Sequence, residues 1–312
     1  MKIVKKCNFC RNQDLRLLFY GEDKNFDVPG KFPIVKCKNC GLMFMGVTIN
    51  QKKIEEHYPK EYYSYKEIDT NSLKLKIKML LYNLYFNPKN RSKLLRLVFL
   101  PLLTFSRGAI ISPNKKLLDI GSGSGQFLYE MKDFGMEGHG IEPGNFDKES
   151  AKRHCLNIKN TDLIKAKYPK EYFDIITMNH VLEHIPDPAK NIKEIYRILK
   201  KNGRLIVGVP NYNSFAYLLF GKNWYQLDVP RHLHDFSDKM LIRKLKENRF
   251  RIDKVRYNSR PAQFVMSLFY SMNINPKKHP ITSNILSILF LPLTYAVNVI
   301  KFGDQIEVYC SK

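Results

Sequence analysis

Four cysteines near the start of the chain stand in two close pairs, Cys7-x-x-Cys10 and Cys37-x-x-Cys40, with Gly41 after the second. Two such turns can surround one soft cation and close a tetrahedral site with no open position. The spacing is that of a zinc ribbon, and it predicts structural zinc held by Cys7, Cys10, Cys37 and Cys40. Cys155 and Cys310 lie outside the pairs and are expected as buried packing residues. A second metal-like spelling, His180-x-x-Glu183-His184, matches an inverted zinc-protease signature. That chemistry needs one helix carrying both histidines on one face. Here an apolar run, "FDIITMN", leads straight into the motif, and Pro186 and Pro188 stop it. Only a short turn fits, so the hydrolytic reading fails. His180 and His184 remain as candidate general bases, since histidine titrates near neutral pH.

A third group lies in "NWYQLDVPRHLHDFS" (223–237), which holds the chain's single tryptophan. Trp224 and Arg231 are candidates for one wall of an acceptor pocket. His232 and His234 are either general bases or caps of the helix that follows.

The stretch "LLDIGSGSGQFL" (117–128) carries binding chemistry of another kind. Apolar residues lead to Asp119, and Gly121, Gly123 and Gly125 then open a helix. Such a turn lets backbone N–H groups and a helix N-terminus approach an anionic ligand. The dinucleotide fingerprint would need a small residue where Gln126 stands. Glu142, one strand–helix unit later, is placed to accept two ribose hydroxyls.

Taken in order, "LLDIGSGSG", "GIEPG", "NTDL", "YFDIITMNHVLEHIPDP" and "LKKNGRLIVGVPN" resemble the successive motifs of class I S-adenosylmethionine-dependent methyltransferases, over about residues 113–210. The resemblance implies a Rossmann-like α/β fold, a mostly parallel seven-stranded sheet with an antiparallel last strand. It also implies roles. Asp119 and the backbone of Gly121, Gly123 and Gly125 would hold the methionine part of the cofactor. Glu142 would bind the ribose. Asp162, with the Leu163 backbone beside it, would face the adenine amino group. Asn179 and His180 would line the mouth. The segment ending "PRHLHDFS" is similar to one in bacterial methyltransferases that carry a four-cysteine knuckle, many of them from surface-polysaccharide and glycolipid pathways. Ubiquinone-pathway O-methyltransferases have Glu-x-x-Glu-His where this chain has His180 to His184.

The elements that must position these residues are legible as alternating patterns. From Lys115 to about Val209, apolar runs alternate with helical periodicity, the signature of a parallel sheet with crossover helices. A helix "SDKMLIRKLKENRF", a strand "RIDKVRY" and a last strand "QIEVYC" follow. This divides the chain into a zinc-ribbon unit at 1–69, a basic apolar helical linker at 70–112 and a methyltransferase domain at 113–312. That domain would include the aromatic segment 211–235 and an apolar helical insertion at 261–302.

The net charge is +23, and it is patterned. No acid stands between Asp69 and Asp119, nor between Asp253 and Asp304. So basic a chain is expected to meet an anion. The runs 93–105 and 284–300 are apolar on nearly all sides, yet each falls short of the ~20 residues that span a bilayer. Flanked by lysine and arginine, they suit helices lying on an anionic membrane surface. The alternative is a pair packed on each other inside the protein. The cysteine usage and the start "MKIVKKCNFC" suit the cytoplasm, with peripheral binding at the inner membrane face. The expected partner is a small-molecule, sugar or glycolipid acceptor. A ribosomal or transfer RNA methyltransferase is the rival. Nucleic acid is disfavoured because the fourth strand ends in "NHVLEH", without the proline-aromatic motif of base-amine enzymes. A non-catalytic cofactor-binding scaffold is the third reading.

Overall fold

The computed structural model describes residues 2–26, 28–48, 57, 67–90 and 92–312. Part of the expected N-terminal unit, at 49–56 and 58–66, therefore lies outside the described residues.

The chain opens with β1 (Lys2–Ile3), β2 (Leu15–Gly21), β3 (Phe32–Cys37), β4 (Met43–Met45) and β5 (Val47–Thr48). Helices α1 (Leu73–Tyr85) and α2 (Lys93–Val98) and a 3-10 helix (Leu100–Phe105) come next. The central run is β6 (Lys116–Ile120), α3 (Gln126–Lys132), β7 (Glu137–Ile141), α4 (Lys148–Arg153), β8 (Asn157–Lys159), β9 (Phe173–Asn179), α5 (Pro188–Ile198) and β10 (Leu199–Pro210). It is followed by α6 (Phe215–Phe220), β11 (His234–Asp235), α7 (Asp238–Glu247), β12 (Arg251–Tyr257), α8 (Ala262–Ser271), α9 (Pro280–Leu289), α10 (Leu291–Val299) and β13 (Gln305–Ser311).

The main sheet has seven strands in the order β12-β13-β10-β9-β6-β7-β8. Strands β6 to β10 pair in parallel, and β13 runs antiparallel to both β10 and β12. This is the expected Rossmann-like sheet with its antiparallel last strand. Its central strands are apolar on both faces because helices cover both: Leu117, Leu118 and Ile120 of β6 and Ile175, Ile176 and Met178 of β9 are all buried. Helix α5 shows how local sequence serves the sheet. Asp187 caps its N-terminus by accepting from the Lys190 N–H, Pro188 fills the first position, and Ile192, Ile195 and Ile198 form the buried stripe.

Two boundaries differ from those expected. The N-terminal sheet, in the order β11-β4-β3-β2, takes its edge strand from the aromatic segment: His234 pairs with Phe44 and Asp235 with Met43. The N-terminal unit and the main domain thus share a sheet, and Cys7, Leu42 and Phe44 belong to the same apolar cluster as Leu118 and Val207. Nor is 70–112 a bare linker. Tyr82 of α1 is fully buried against Phe127, and Lys78 forms an ion pair with buried Glu130 of α3 at 2.7 Å. Cys155, expected inside, is exposed; Cys310 is buried as expected.

The apolar runs are largely exposed, although Thr294 and Val297 of α10 are buried. Neither α2 nor α9 has a buried residue, and Ile281, Ile285, Ile288 and Leu289 of α9 are 54 to 75 % exposed. The internally packed pair is therefore not what forms. Among the described residues no single helix is long and apolar enough to cross a membrane. The pair α9 and α10, bent by 48°, passes that test only jointly, by length and composition.

Candidate functional site

The glycine loop joins β6 to α3. Gly121, Gly123 and Gly125 have φ of 69°, 54° and 93°, a region that costs an L side chain about 1–2 kcal/mol. Space forbids a side chain as well. A Cβ on Gly125 would stand 2.6 Å from Leu156 Cδ1, and one on Gly121 2.3 Å from Val181 Cγ2. The loop is drawn against the end of β7 by Glu142, whose two carboxylate oxygens accept from the N–H groups of Gly123 (3.0 Å) and Gly144 (2.9 Å). Burial raises the Glu142 pKa above its usual 4.5, against the pull of those two hydrogen bonds.

Asp119, at the end of β6, is buried and fully engaged. It takes a bidentate pair of hydrogen bonds from Arg107 (3.1 and 2.7 Å) and one from the Thr177 hydroxyl (2.6 Å). Sequence reasoning missed Arg107, whose guanidinium lies 3.8 Å from the centre of the Phe127 ring. Its signal was its place, one of the cations upstream of the glycine loop in a stretch with no acid to pair with. Gln126, the residue that breaks the dinucleotide fingerprint, also has a use. Its amide accepts from Asp69 N–H at 2.7 Å and donates to Asp69 O at 3.1 Å, tying the segment before α1 to the start of α3.

Asp162 follows β8. Lys165 engages it through backbone N–H (2.9 Å) and ammonium (3.1 Å), which outweighs partial desolvation and holds the carboxyl below its usual range. The Leu163 side chain beside it is buried. Asn179 ends β9, with its amide lying where any side chain on Gly208 would be: a Cβ there would sit 2.6 Å from Asn179 Oδ1. Asp119, Glu142, Asp162 and Asn179 thus fall at the carboxyl ends of four neighbouring strands, the edge on which open α/β sheets bind ligands. The donor set fits an adenosyl cofactor: a glycine cradle that side chains would fill, a buried carboxylate beside it, and a further acid beyond β8.

The four candidate histidines separate. His180 follows β9 directly, in a left-handed conformation (φ 54°) fixed by its N–H bonding Gly208 O at 2.9 Å. Its ring is partly exposed, and Nδ1 lies 3.2 Å from Glu183 Oε1. His184 donates from Nδ1 to Arg231 O at 2.9 Å, and His232 from Nδ1 to Gln226 O at 2.7 Å. These two rings meet edge to face, 4.7 Å apart. Burial pushes His232 down to about 4, aided by His184. His234 is not at the mouth. It lies inside the shared N-terminal sheet with Nε2 3.1 Å from the Asn8 amide, and burial lowers it to about 4. The short 3-10 turn Leu182–His184 confirms that His180 and His184 share no helix.

Trp224 and Arg231 also sit elsewhere than an open wall. Arg231 is 0 % exposed and is clamped by Asp23 (2.7 and 2.7 Å) and Asp228 (3.0 and 2.6 Å). It ties the N-terminal unit to the segment before β11. Trp224 is buried and donates its indole N–H to Asp304 at 3.1 Å. Asp304 was not singled out from sequence, though it is the acid that ends the second acid-free run. Burial raises it to about 6, opposed by Ser259 and Trp224.

The cysteines converge. Cys7 and Cys40 sulfurs are 3.5 Å apart and those of Cys10 and Cys37 3.6 Å, all four within 4.8 Å. A tetrahedron with zinc–sulfur bonds of ~2.3 Å separates its sulfurs by roughly 3.8 Å. Both knuckles close alike. Arg11 and Gly41 donate back to the carbonyls of Cys7 and Cys37, each with positive φ (63° and 80°).

The ubiquinone biosynthesis O-methyltransferase of Saccharophagus degradans is 35 % identical over 133 residues, covering 39 % of this chain and 56 % of that protein. The one from Pseudomonas entomophila is 34 % identical over 132 residues, covering 39 % and 57 %. The chain thus spans little more than half the length of these curated relatives. A solved methyltransferase from Archaeoglobus fulgidus aligns at 17 % identity with a TM-score of 0.45, covering 75 % of this chain and 99 % of that one. Residues 89–255, over half of the chain, match the family described as methyltransferase domain, and the chain belongs to that family.

Proposed function

We propose that this protein transfers a methyl group from S-adenosylmethionine to a hydroxyl of a sugar or glycolipid acceptor in cell-surface glycan synthesis. The observation that carries the reading is the glycine cradle locked by Glu142, with acids at three neighbouring strand ends and Asn179 at the fourth. The cofactor supplies a sulfonium methyl that is already strongly electrophilic, so the protein has mainly to orient the acceptor in line and take its proton. His180 is the base. Glu183 accepts its Nδ1–H and fixes the tautomer, which leaves Nε2 to receive the proton. As the acceptor oxygen bonds the methyl carbon, the carbon–sulfur bond breaks and its electron pair stays on sulfur. Oxygen is favoured as acceptor atom because the curated relatives are named O-methyltransferases.

A membrane-held acceptor is supported by the exposed apolar faces of α2, α9 and α10, which carry Leu94, Leu97, Ile281, Ile288 and Val299. The lysine- and arginine-rich segments around them supply charge for anionic lipid. The four cysteines hold structural zinc. The deciding experiment follows labelled methyl from the cofactor into cell extract separated into lipid, glycan, RNA and protein. Label in lipid or glycan supports the reading. Label confined to RNA or protein overturns it, and no cofactor binding at high micromolar concentration overturns enzymatic function altogether.

A further inference from the structure

Cations gather where the 3-10 helix Leu100–Phe105 meets the ligand edge of the sheet. Lys78 lies 5.6 Å from the centre of the Tyr82 ring, Arg107 3.8 Å from that of Phe127 and Arg256 5.7 Å from that of Phe86. Tyr82 packs edge to face on Phe86 and Phe127, at 5.9 and 6.2 Å between centres, so the three cations share one aromatic cluster. Each has its own acid: Glu130 at 2.7 Å for Lys78, Asp119 at 2.7 Å for Arg107 and Glu307 at 3.0 Å for Arg256. Arg260 stands beside them without one. It grips the same turn as Arg256, which donates to the carbonyls of Leu103 and Ser106, while Arg260 donates to those of Thr104 and Phe105. Both Arg260 bonds are 3.4 Å long, beyond the usual range of about 2.7–3.2 Å. Among the described residues Arg260 forms no ion pair.

The Arg260 side chain is exposed to solvent, yet desolvation by the surrounding protein lowers its pKa, opposed by Glu307 and Tyr225. A charge that is open to solvent and walled by protein stands in a crevice. That crevice opens on the ligand edge. Strand β12 runs antiparallel to β13 and so parallel to β10, and Arg260 follows just after its end. Its neighbour Ser259 hydrogen-bonds Asp304, which lies within charge range of His180. On the other side, Phe105, whose carbonyl Arg260 meets, has a side chain 46 % exposed, in the same apolar run as Leu94 and Leu97. Gln263, one turn further on, is buried with both amide atoms unpartnered among the described residues, as is Asn258 Oδ1. Arg260 is thus flanked by polar atoms still to be matched.

We propose that the acceptor carries a phosphate or diphosphate group and that Arg260 binds it. This rests on the methyl-transfer reading and adds the charge of the acceptor to it. A guanidinium takes phosphate through paired N–H groups, and Arg260 has donors and charge that no neighbouring acid has claimed. The three carboxylates close by are each matched by a cation, so they repel an incoming anion little. The position also says where on the acceptor the group belongs. With its hydroxyl at His180 and an apolar chain on the exposed helices, the acceptor would pass Arg260 between the two, as a phosphate joining sugar to lipid would. A soluble sugar phosphate has the same chemistry without the chain.

The test floats the full chain with phosphatidylcholine vesicles containing a long-chain polyprenyl diphosphate, the matching uncharged alcohol, or phosphatidylglycerol at the same surface charge as the diphosphate. The diphosphate vesicles should bind tightest of the three. Arg260→Gln should weaken that preference about 10–100-fold, the scale of losing a charge-assisted phosphate pair, and Arg260→Lys should recover part of it. Melting temperature, cofactor affinity and binding to phosphatidylglycerol should stay as in the parent. Inorganic diphosphate added in solution distinguishes the source of the phosphate. Weak competition supports a lipid-linked group; competition as strong as that of the lipid form supports a soluble sugar phosphate. A parent chain that binds diphosphate vesicles no better than the other two, or a full preference kept in Arg260→Gln, would overturn the proposal. So would an equal loss on phosphatidylglycerol. Flotation needs neither cofactor nor turnover, so a chain that methylates its acceptor yet ignores diphosphate fails on this inference alone.

Discussion

At the residue scale, Glu142 links charge to binding. Its carboxylate already accepts two loop N–H groups, and ribose hydroxyls would add to them only while it is ionised. Burial places its folded pKa above 4.5. Because the cofactor binds the ionised form better, affinity should be flat well above that raised value and fall as pH drops through it. Calorimetric titration between pH 8 and ~5 checks this, and Glu142→Gln should remove the pH dependence along with much of the affinity. His180 gives a different signature. His180→Ala should lower kcat by about 10²–10⁴-fold with little change in cofactor affinity, as expected for loss of a general base. A matched loss of cofactor affinity would instead make His180 a cofactor contact.

At the element scale, the joint between the N-terminal sheet and the main domain combines a shared strand, a shared apolar cluster and one buried ion pair. Arg231 and Asp23 are both fully buried, so neither can turn to water if its partner goes. Removing one partner of such a pair typically costs about 3–5 kcal/mol. Asp23→Ala should therefore lower the melting temperature strongly, in a scan followed by near-ultraviolet dichroism, where Trp224 reports. The four-cysteine site is coupled to the same elements. Strands β4 and β11 have only three and two residues and pair with each other, so stripping metal from the four cysteines should loosen β11 too. Hydrogen exchange should then rise at Phe44 and His234 while β6 and β9 stay protected. Protection retained at both positions would show that the sheet holds without metal.

Across the whole molecule, apolar surface is distributed in a way that folding alone does not call for. The chain buries a continuous core under its sheet yet leaves α9 without a buried residue. Exposed apolar area of that kind marks an interaction face. The full chain should float with vesicles containing anionic lipid, and part of that binding should survive high salt because it is apolar. Ile281→Glu with Ile288→Glu should abolish flotation without altering cofactor affinity. Binding to RNA that falls steeply with salt, with no flotation, would transfer the surface to the rival partner.

The local elements and the two cysteine turns were legible in the order of residues alone. Continuous apolar runs marked the central strands, apolar residues at helical spacing marked α5, and Cys-x-x-Cys with Gly41 specified a knuckle whose closure needs positive φ. These features are short-range, so the residues that specify them are the residues that form them. Tertiary structure alone decided what the histidines and the arginines do. Arg231 reads as a substrate cation until Asp23, more than two hundred residues away, arrives to bury it. His232 and His234 are two residues apart, yet one meets His184 and the other enters a strand beside Phe44. Arg107 gained its role only when β6 brought Asp119 and α3 brought Phe127 to it. Charge, tautomer and exposure depend on partners brought together by packing, and the pattern along one chain carries no record of that proximity.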